Sequence, residues 1–228
     1  LSLTQYGDLD ISVIREMPSG RKGNKTKIVS PENFSKFLSF MKTRLSMDEQ
    51  AYVVVPAINE SETVDMYDLE RVLKFFTKSF PEYRVKGLHG QLKSDEKQAA
   101  FMEFSNHEID IMVSTSVIEV GINVQNASVM IIENAERFGL AQMHQLRGRV
   151  GRGDYQSYCL IITDAKSKIA SERADALCST SDGFIIAEKD LAMRGPGEVF
   201  GVRQHGLPEL KLADLSKHIN VFKQARED

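Results

Sequence analysis

Short runs of apolar, β-branched residues alternate with stretches of helical spacing from about residue 51 of this 228-residue chain. Three or four consecutive apolar residues are typical of strands covered on both faces, as in a parallel sheet. Repeated strand–helix–strand units close through right-handed crossovers. The pattern therefore predicts an α/β fold with a doubly wound parallel sheet. The predicted strands are AYVVVP (51–56), YRVKGL (83–88), IDIMVS (109–114), SVMII (128–132) and SYCLII (157–162).

Helices are predicted between these runs. Ser30, Pro31 and Glu32 are typical of a helix start, and apolar residues then recur at helical spacing up to Leu45. Further helices are expected over 65–80, from Ser94, and over 140–146.

After Asp164 the alternation stops. Residues 166–193 indicate two helices broken at 179–183, followed by the glycine- and proline-rich segment RGPGEVFGVRQHGLPEL. We therefore predict a connector over 1–27, a sheet domain over 28–165, and a helical hairpin with a loop over 166–228. Leu1 in place of Met indicates a piece of a longer chain.

Composition excludes several classes of protein. The net charge of −3 gives no global basic field, so phosphate contacts must come from a local cluster. Apolar runs of about five or six residues are too short to span a membrane. Cys159 and Cys178 lack the CxxC spacing of a zinc site, and a reducing compartment is expected.

The densest chemical signal is QLRGRVGRG at 145–153, in which three arginines alternate with glycines. Arginine suits phosphate because its planar fork donates two parallel charged hydrogen bonds. Gly148 and Gly151 allow a ligand to approach closely. A basic helix end favoured by the helix dipole would explain one arginine but not three.

A second signal, STSVIEVGINV at 114–124, directly follows a predicted strand. Ligands of open α/β sheets bind beyond the carboxyl ends of the strands. Ser114, Thr115 and Ser116 offer hydroxyls for sugar-phosphate contacts, and Gly121 allows close approach. Such hydroxyls are also common as caps, so this signal is strongest if it lies beside the arginines.

Other catalytic signatures are missing from the sequence. GRKGNKT at 20–26 has Asn24 where a phosphate loop needs glycine, and an exposed polar turn is expected there. No acidic pair ends an apolar strand to hold magnesium, so ATP hydrolysis by this chain alone is not expected. His89 has no motif around it and is expected to be structural.

The two signals together resemble motifs V and VI of superfamily 2 helicases: STSVIEVGINVQNA (114–127) and AERFGLAQMHQLRGRVGRG (135–153). YGDLDISVIREMPSGR (6–21) and GFIIAEKDLAMRGPGEVFGVRQHG (183–206) resemble the RecG branch-migration helicases. The resemblance implies a second RecA-like motor domain, beginning just after motif III and followed by a translocation motif. The phosphate loop and acidic box would lie on a first motor domain.

The resemblance also implies roles for individual residues. Arg149 and Arg152 would be arginine fingers that complete an ATP site across an interdomain cleft. Such a residue can raise the rate of hydrolysis by ~10³–10⁵. Asn123 stands where the family usually has Asp, which removes a charge beside the nucleotide. The implied residues are Arg149, Arg152 and Gln145 at the ATP site; Glu119, Gly121 and Asn123 at the nucleotide cleft; and Thr115, Ser116, Arg173, Arg194 and Gln204 in DNA contact and coupling.

For the longer protein, the resemblance implies a monomeric, ATP-driven translocase on double-stranded DNA that remodels stalled replication forks and Holliday junctions. ATP with Mg²⁺ would be held mainly by the first motor domain. Single-stranded DNA-binding protein is the suggested partner, and the bacterial cytoplasm, at the nucleoid, is the expected location.

Three alternatives stay open. A transcription-repair coupling translocase shares motif VI, although YGDLD and RGPGE favour the RecG type. A non-catalytic module that binds DNA or a partner could retain the motor fold. A small-molecule α/β enzyme would need a catalytic dyad, which the sequence does not offer.

Overall fold

One parallel sheet organises the chain. The computed structural model describes residues 23–56, 62–115, 124–151, 153, 155–163 and 168–194. Six strands lie in the order β1-β6-β5-β2-β4-β3, and every neighbouring pair is parallel. The strands are β1 Asn24–Val29, β2 Gln50–Val55, β3 Val85–Leu88, β4 Ile111–Thr115, β5 Ala127–Ile132 and β6 Ser157–Ile162.

Helices cover both faces of this sheet, which confirms the predicted doubly wound fold. Two helices, α1 and α2, pack on one face, and four helices, α3 to α6, pack on the other. Their bounds are α1 Phe34–Leu45, α2 Glu62–Ser79, α3 Ser94–Ser105, α4 Leu140–Arg147, α5 Lys168–Ser179 and α6 Gly183–Arg194. Short 3₁₀ turns precede α1 at Pro31–Asn33 and α4 at Ala135–Arg137.

Alternate side chains of the central strands pack into two separate hydrophobic cores, one on each face of the sheet. In β2, Val53 and Val55 pack with Phe76 of α2, whereas Tyr52 packs with Phe104 of α3 on the other face. All six residues of β2 are buried, as are all six of β5. This burial on both faces explains the continuous apolar runs in the sequence.

The predicted helices are confirmed with small shifts at their ends. The acid-rich start of α3 is fixed by Glu96, whose carboxylate accepts a hydrogen bond from the Lys93 amide at 2.9 Å. The predicted break at 179–183 separates α5 from α6.

The prediction of a connector over 1–27 is wrong at its end. Asn24–Val29 forms β1, paired along its length with β6, so Asn24, Lys25 and Thr26 do not belong to an exposed turn. β1 lies at an edge of the sheet and keeps Lys25, Lys27 and Ile28 exposed. Because an edge strand has one pairing partner and an open side, it lacks the apolar run that marks the central strands.

None of the helices in the described ranges is long and apolar enough to cross a membrane.

Candidate functional site

The arginine-rich motif forms a loop at the amino edge of the sheet. We call residues 148–153, which follow α4, the arginine loop. Because β5 and β6 are parallel, the intervening α4 must return the chain from their carboxyl ends to their amino ends. The Gly151 amide accordingly donates to the carbonyl oxygen of Ala127, the first residue of β5, at 3.4 Å. The loop therefore lies over the starts of β5 and β6.

Two glycines allow the arginine loop to sit this close to the sheet. Gly151 has a φ of +78°, and a Cβ atom there would collide with the Ser157 hydroxyl. A Cβ atom at Gly153 would lie 2.6 Å from the carbonyl oxygen of Gln125. Gly151 and Gly153 therefore serve close backbone packing, which fixes the position of the loop that carries Arg149.

Arg149 has the features expected of an anion-binding residue. Its side chain is half-buried, and no hydrogen bond or ion pair engages its guanidinium within the described part of the chain. A desolvated but unpaired guanidinium is available to a phosphate. Gln145 lies on α4, one turn before, and is exposed. Arg152 lies outside the described residues.

Arg147, the first arginine of the motif, has a different role from the one predicted for the cluster. Only 3% of its surface is exposed. Its Nη1 donates to the carbonyl oxygens of Leu177 at 2.6 Å and Thr180 at 2.8 Å. These carbonyls lie at the end of α5, where helical carbonyls lack partners and carry partial negative charge. Arg147 therefore joins α4 to α5 and is not free to bind a ligand.

His144 completes this contact one turn earlier on α4. Arg147 Nη2 donates to His144 Nδ1 at 2.9 Å, so this nitrogen accepts and the imidazole is neutral. Burial and the Arg147 charge lower the pKa of His144, although the Asp182 carboxylate opposes them. A Cβ atom at Gly183, the first residue of α6, would lie 3.1 Å from His144 Nε2. Arg147 and His144, which we call the hairpin clasp, thus hold both helices of the hairpin.

Arg173 adds a further contact between the hairpin and the sheet domain. It lies on α5 and is half-buried, and its Nη1 is 3.5 Å from the carbonyl oxygen of Phe138, just before α4. Arg194 is the last residue of α6. Gln204 lies outside the described residues.

The segment between β4 and β5 begins at the carboxyl edge of the sheet and ends at the amino edge, where Gln125 and Ala127 meet the arginine loop. Thr115 ends β4 at the carboxyl edge of the sheet, whereas Arg149 lies at the amino edge. Strands of five or six residues separate these edges by about 16–20 Å. Ser114 and Thr115 are both buried, and the Ser114 hydroxyl has no partner in the part of the chain that the structure describes. Ser116, Glu119, Gly121 and Asn123 lie outside the described residues.

Within the described ranges, the remaining reactive groups do not form a catalytic centre. Burial raises the pKa of the Cys159 thiol to about 12, so the thiol stays protonated and is a poor nucleophile. No cluster of three metal-binding side chains occurs in the described ranges, so these residues do not fit a magnesium ion. The hairpin clasp was not predicted from the sequence, although the three-residue spacing of His144 and Arg147 on a helix indicates a side-chain contact.

Comparisons with known proteins agree with this geometry. The family described as "Helicase conserved C-terminal domain" matches residues 32–154. The family "ATP-dependent DNA helicase RecG, domain 3, C-terminal" matches residues 180–228. Relatives named ATP-dependent DNA helicase RecG match all of this chain, with 47% identity in Synechocystis sp. and 44% in Bacillus subtilis. The chain spans 27% and 34% of the length of these two relatives.

Solved structures give the same assignment. A RecG structure bound to a three-way DNA junction has 41% identity and a TM-score of 0.73, over 96% of this chain and 28% of that one. Domain 2 of the DEAD-box helicase Mss116p, with 14% identity and a TM-score of 0.53 over 68% of this chain and 60% of its own, shares the fold. The chain therefore belongs to the helicase conserved C-terminal domain family and, within it, to the RecG type.

Proposed function

We propose that this chain is the second motor lobe and translocation motif of an ATP-driven helicase that remodels branched DNA. The single observation that supports this most directly is Arg149, a half-buried guanidinium without a partner in the described residues. It lies on a loop that glycine packing fixes to the sheet edge. This is the arrangement that an arginine finger requires, because its charge must be in place before the reaction.

The chemistry assigned to this chain is charge stabilisation. The triphosphate and its Mg²⁺ would be held by another lobe, where they supply the reacting phosphoryl group. Arg149 and Arg152 would donate hydrogen bonds to oxygens that gain negative charge during transfer. Gln145, exposed on α4, would contact the same nucleotide, and Glu119, Gly121 and Asn123 would line the cleft beside it.

Coupling to DNA would use the hairpin of α5 and α6. The hairpin clasp attaches both helices to α4, and α4 leads directly into the arginine loop. Any rotation of the arginine loop about the nucleotide must therefore carry the hairpin with it. Arg173 would hold the base of the hairpin, while Arg194 and Gln204 would transmit the movement to duplex DNA.

The separation of Thr115 from Arg149 fits such a machine. Nucleotide would be sensed at the amino edge of the sheet, and Thr115 and Ser116 would contact DNA from the carboxyl edge. We place the sheet domain over 24–165 and the translocation motif over 166–228. By analogy with the RecG structure on a three-way junction, the DNA would be branched. We further propose a bacterial, nucleoid-associated monomer that single-stranded DNA-binding protein helps to load.

The test replaces the matching segment of Bacillus subtilis RecG with this chain. We expect the chimaera to hydrolyse ATP with branched DNA and the isolated chain to show no turnover. Arg149→Ala and Arg152→Ala should each reduce kcat by at least about 10³-fold while nucleotide binding persists. Arg71→Ala, which removes an exposed arginine of α2, is the matched control.

Two results would contradict the proposal. One is steady-state ATP turnover by the purified 228-residue chain. The other is a chimaera in which Arg149→Ala and Arg152→Ala behave like the Arg71→Ala control.

A further inference from the structure

The residues on either side of the arginine loop contact the same two residues at the start of β1. At the near end, Asn24 Nδ2 donates to the carbonyl oxygen of Arg147 at 2.9 Å. At the far end, Ser157 Oγ and Gln156 Nε2 both donate to the carbonyl oxygen of Gly23 at 3.0 Å. Gly23 and Asn24 therefore bridge the base of the loop, and we call these five residues the base clamp.

Ser157 also supports the middle of the loop. It is buried, and its hydroxyl occupies the space that a side chain at Gly151 would need. One side chain thus contacts the loop from below and holds the start of β1 at the same time. Loss of this hydroxyl would free Gly151 and the far end of the loop together.

Asn24 reduces the stability of the fold through one unsatisfied polar atom, and its packing does not explain why an amide stands there. Its Oδ1 is buried and has no hydrogen-bond partner among the described residues, whereas its Nδ2 makes the bond to Arg147. Unsatisfied buried acceptors reduce stability; an apolar residue of similar shape would remove this one but would leave the Arg147 carbonyl without its donor. Retaining the amide is understandable if its donor serves a purpose other than stability.

We propose that Ser157 and Asn24 are positioning residues that hold the arginine loop in register for ATP hydrolysis. The inference rests on the proposed function, because the loop needs precise placement only if its arginines act on a transferred phosphoryl group. Arginine contacts that form in the transition state affect kcat more than KM. A loosened clamp therefore lowers kcat and leaves ATP binding nearly unchanged.

The first measurement uses the 228-residue chain itself. Amide hydrogen exchange is compared for wild type, Ser157→Ala and Asn24→Leu. Each substitution removes one hydrogen bond, so exchange at Arg149 and Gly151 should rise by roughly threefold to tenfold. Exchange in the central strands β2 and β4 should stay unchanged. Ser39→Ala, which removes a hydroxyl donor to Ser35 in α1, is the matched control and should change neither region.

The second measurement uses the RecG chimaera. Ser157→Ala and Asn24→Leu should each lower kcat by roughly threefold to tenfold, with KM for ATP changed by less than about twofold. Asn24→Leu should change the melting temperature little, since it removes the unsatisfied Oδ1 but leaves the Arg147 carbonyl without its donor. A purely structural role would make stability and rate fall together.

Either of two outcomes would overturn the inference. One is that amide hydrogen exchange in the arginine loop and kcat both equal those of the Ser39→Ala control. The other is exchange that rises equally throughout the sheet, which would make these residues general stabilisers. An inactive wild-type chimaera would count against the proposed function, and the exchange experiment would still decide whether the clamp holds the loop.

Discussion

Arg147 and Arg149 are two residues apart in one motif and have opposite environments. Arg147 is the last residue of α4 and reaches under the hairpin, whereas Arg149 lies on the loop and has no partner within the described residues. The sequence predicted that this cluster binds phosphate, but spacing alone could not identify the member that is buried. That distinction depends on where α5 ends, about thirty residues further along the chain.

The contrast between Arg147 and Arg149 predicts how each affects stability, and Arg149→Ala is the control for Arg147→Ala. Arg147→Ala leaves the carbonyls of Leu177 and Thr180 without their charged donor and opens a cavity. We expect the free energy of unfolding to fall by about 2–4 kcal/mol. Arg149→Ala should change it by less than about 0.5 kcal/mol. Urea denaturation of the 228-residue chain measures both, and equal losses would show that Arg147 is not a structural residue.

At the scale of elements, burial decided which predictions succeeded. The runs in β2, β4 and β5 are buried on both faces, so their composition alone predicted them. β1 is polar and lies at the edge, and nothing in its local sequence distinguishes it from a turn. Its pairing with β6 joins residues more than 130 apart, which is information that a short window does not contain.

The contact between α4 and the hairpin should depend on pH. His144 is neutral in the fold and its pKa is lowered, so the unfolded chain binds the extra proton first as pH falls. Stability should therefore decrease from about pH 7.5 to about pH 5.5. Arg147 and Asp182 are the charged groups that act on this imidazole.

His144→Asn tests this directly, because asparagine offers an acceptor that does not titrate. The melting temperature of wild type should fall more steeply over that pH range than that of the variant. Parallel pH profiles would mean that His144 does not titrate between these limits.

At the scale of the whole molecule, the second signal begins with Ser114 and Thr115 at the carboxyl edge of the sheet and returns to the amino edge, where the arginine loop lies. The sequence indicated both signals and the fold but not the separation of Thr115 from Arg149, because only strand direction and the return of α4 set it. A single shared pocket would suit a small-molecule enzyme. Two edges joined by a rigid sheet suit a device in which an event at one edge alters contacts at the other.

The coupling role proposed for the translocation motif predicts that the two activities of the longer protein can be uncoupled. In the RecG chimaera, Arg194→Ala and Gln204→Ala should leave ATP hydrolysis within about twofold of wild type, because neither residue belongs to the arginine loop. Unwinding of a branched DNA substrate should fall by about tenfold or more. Arg152→Ala should instead abolish both activities, since movement requires hydrolysis. If hydrolysis and unwinding fell equally in the Arg194→Ala and Gln204→Ala variants, the translocation motif would be part of the ATP site and not a coupling element.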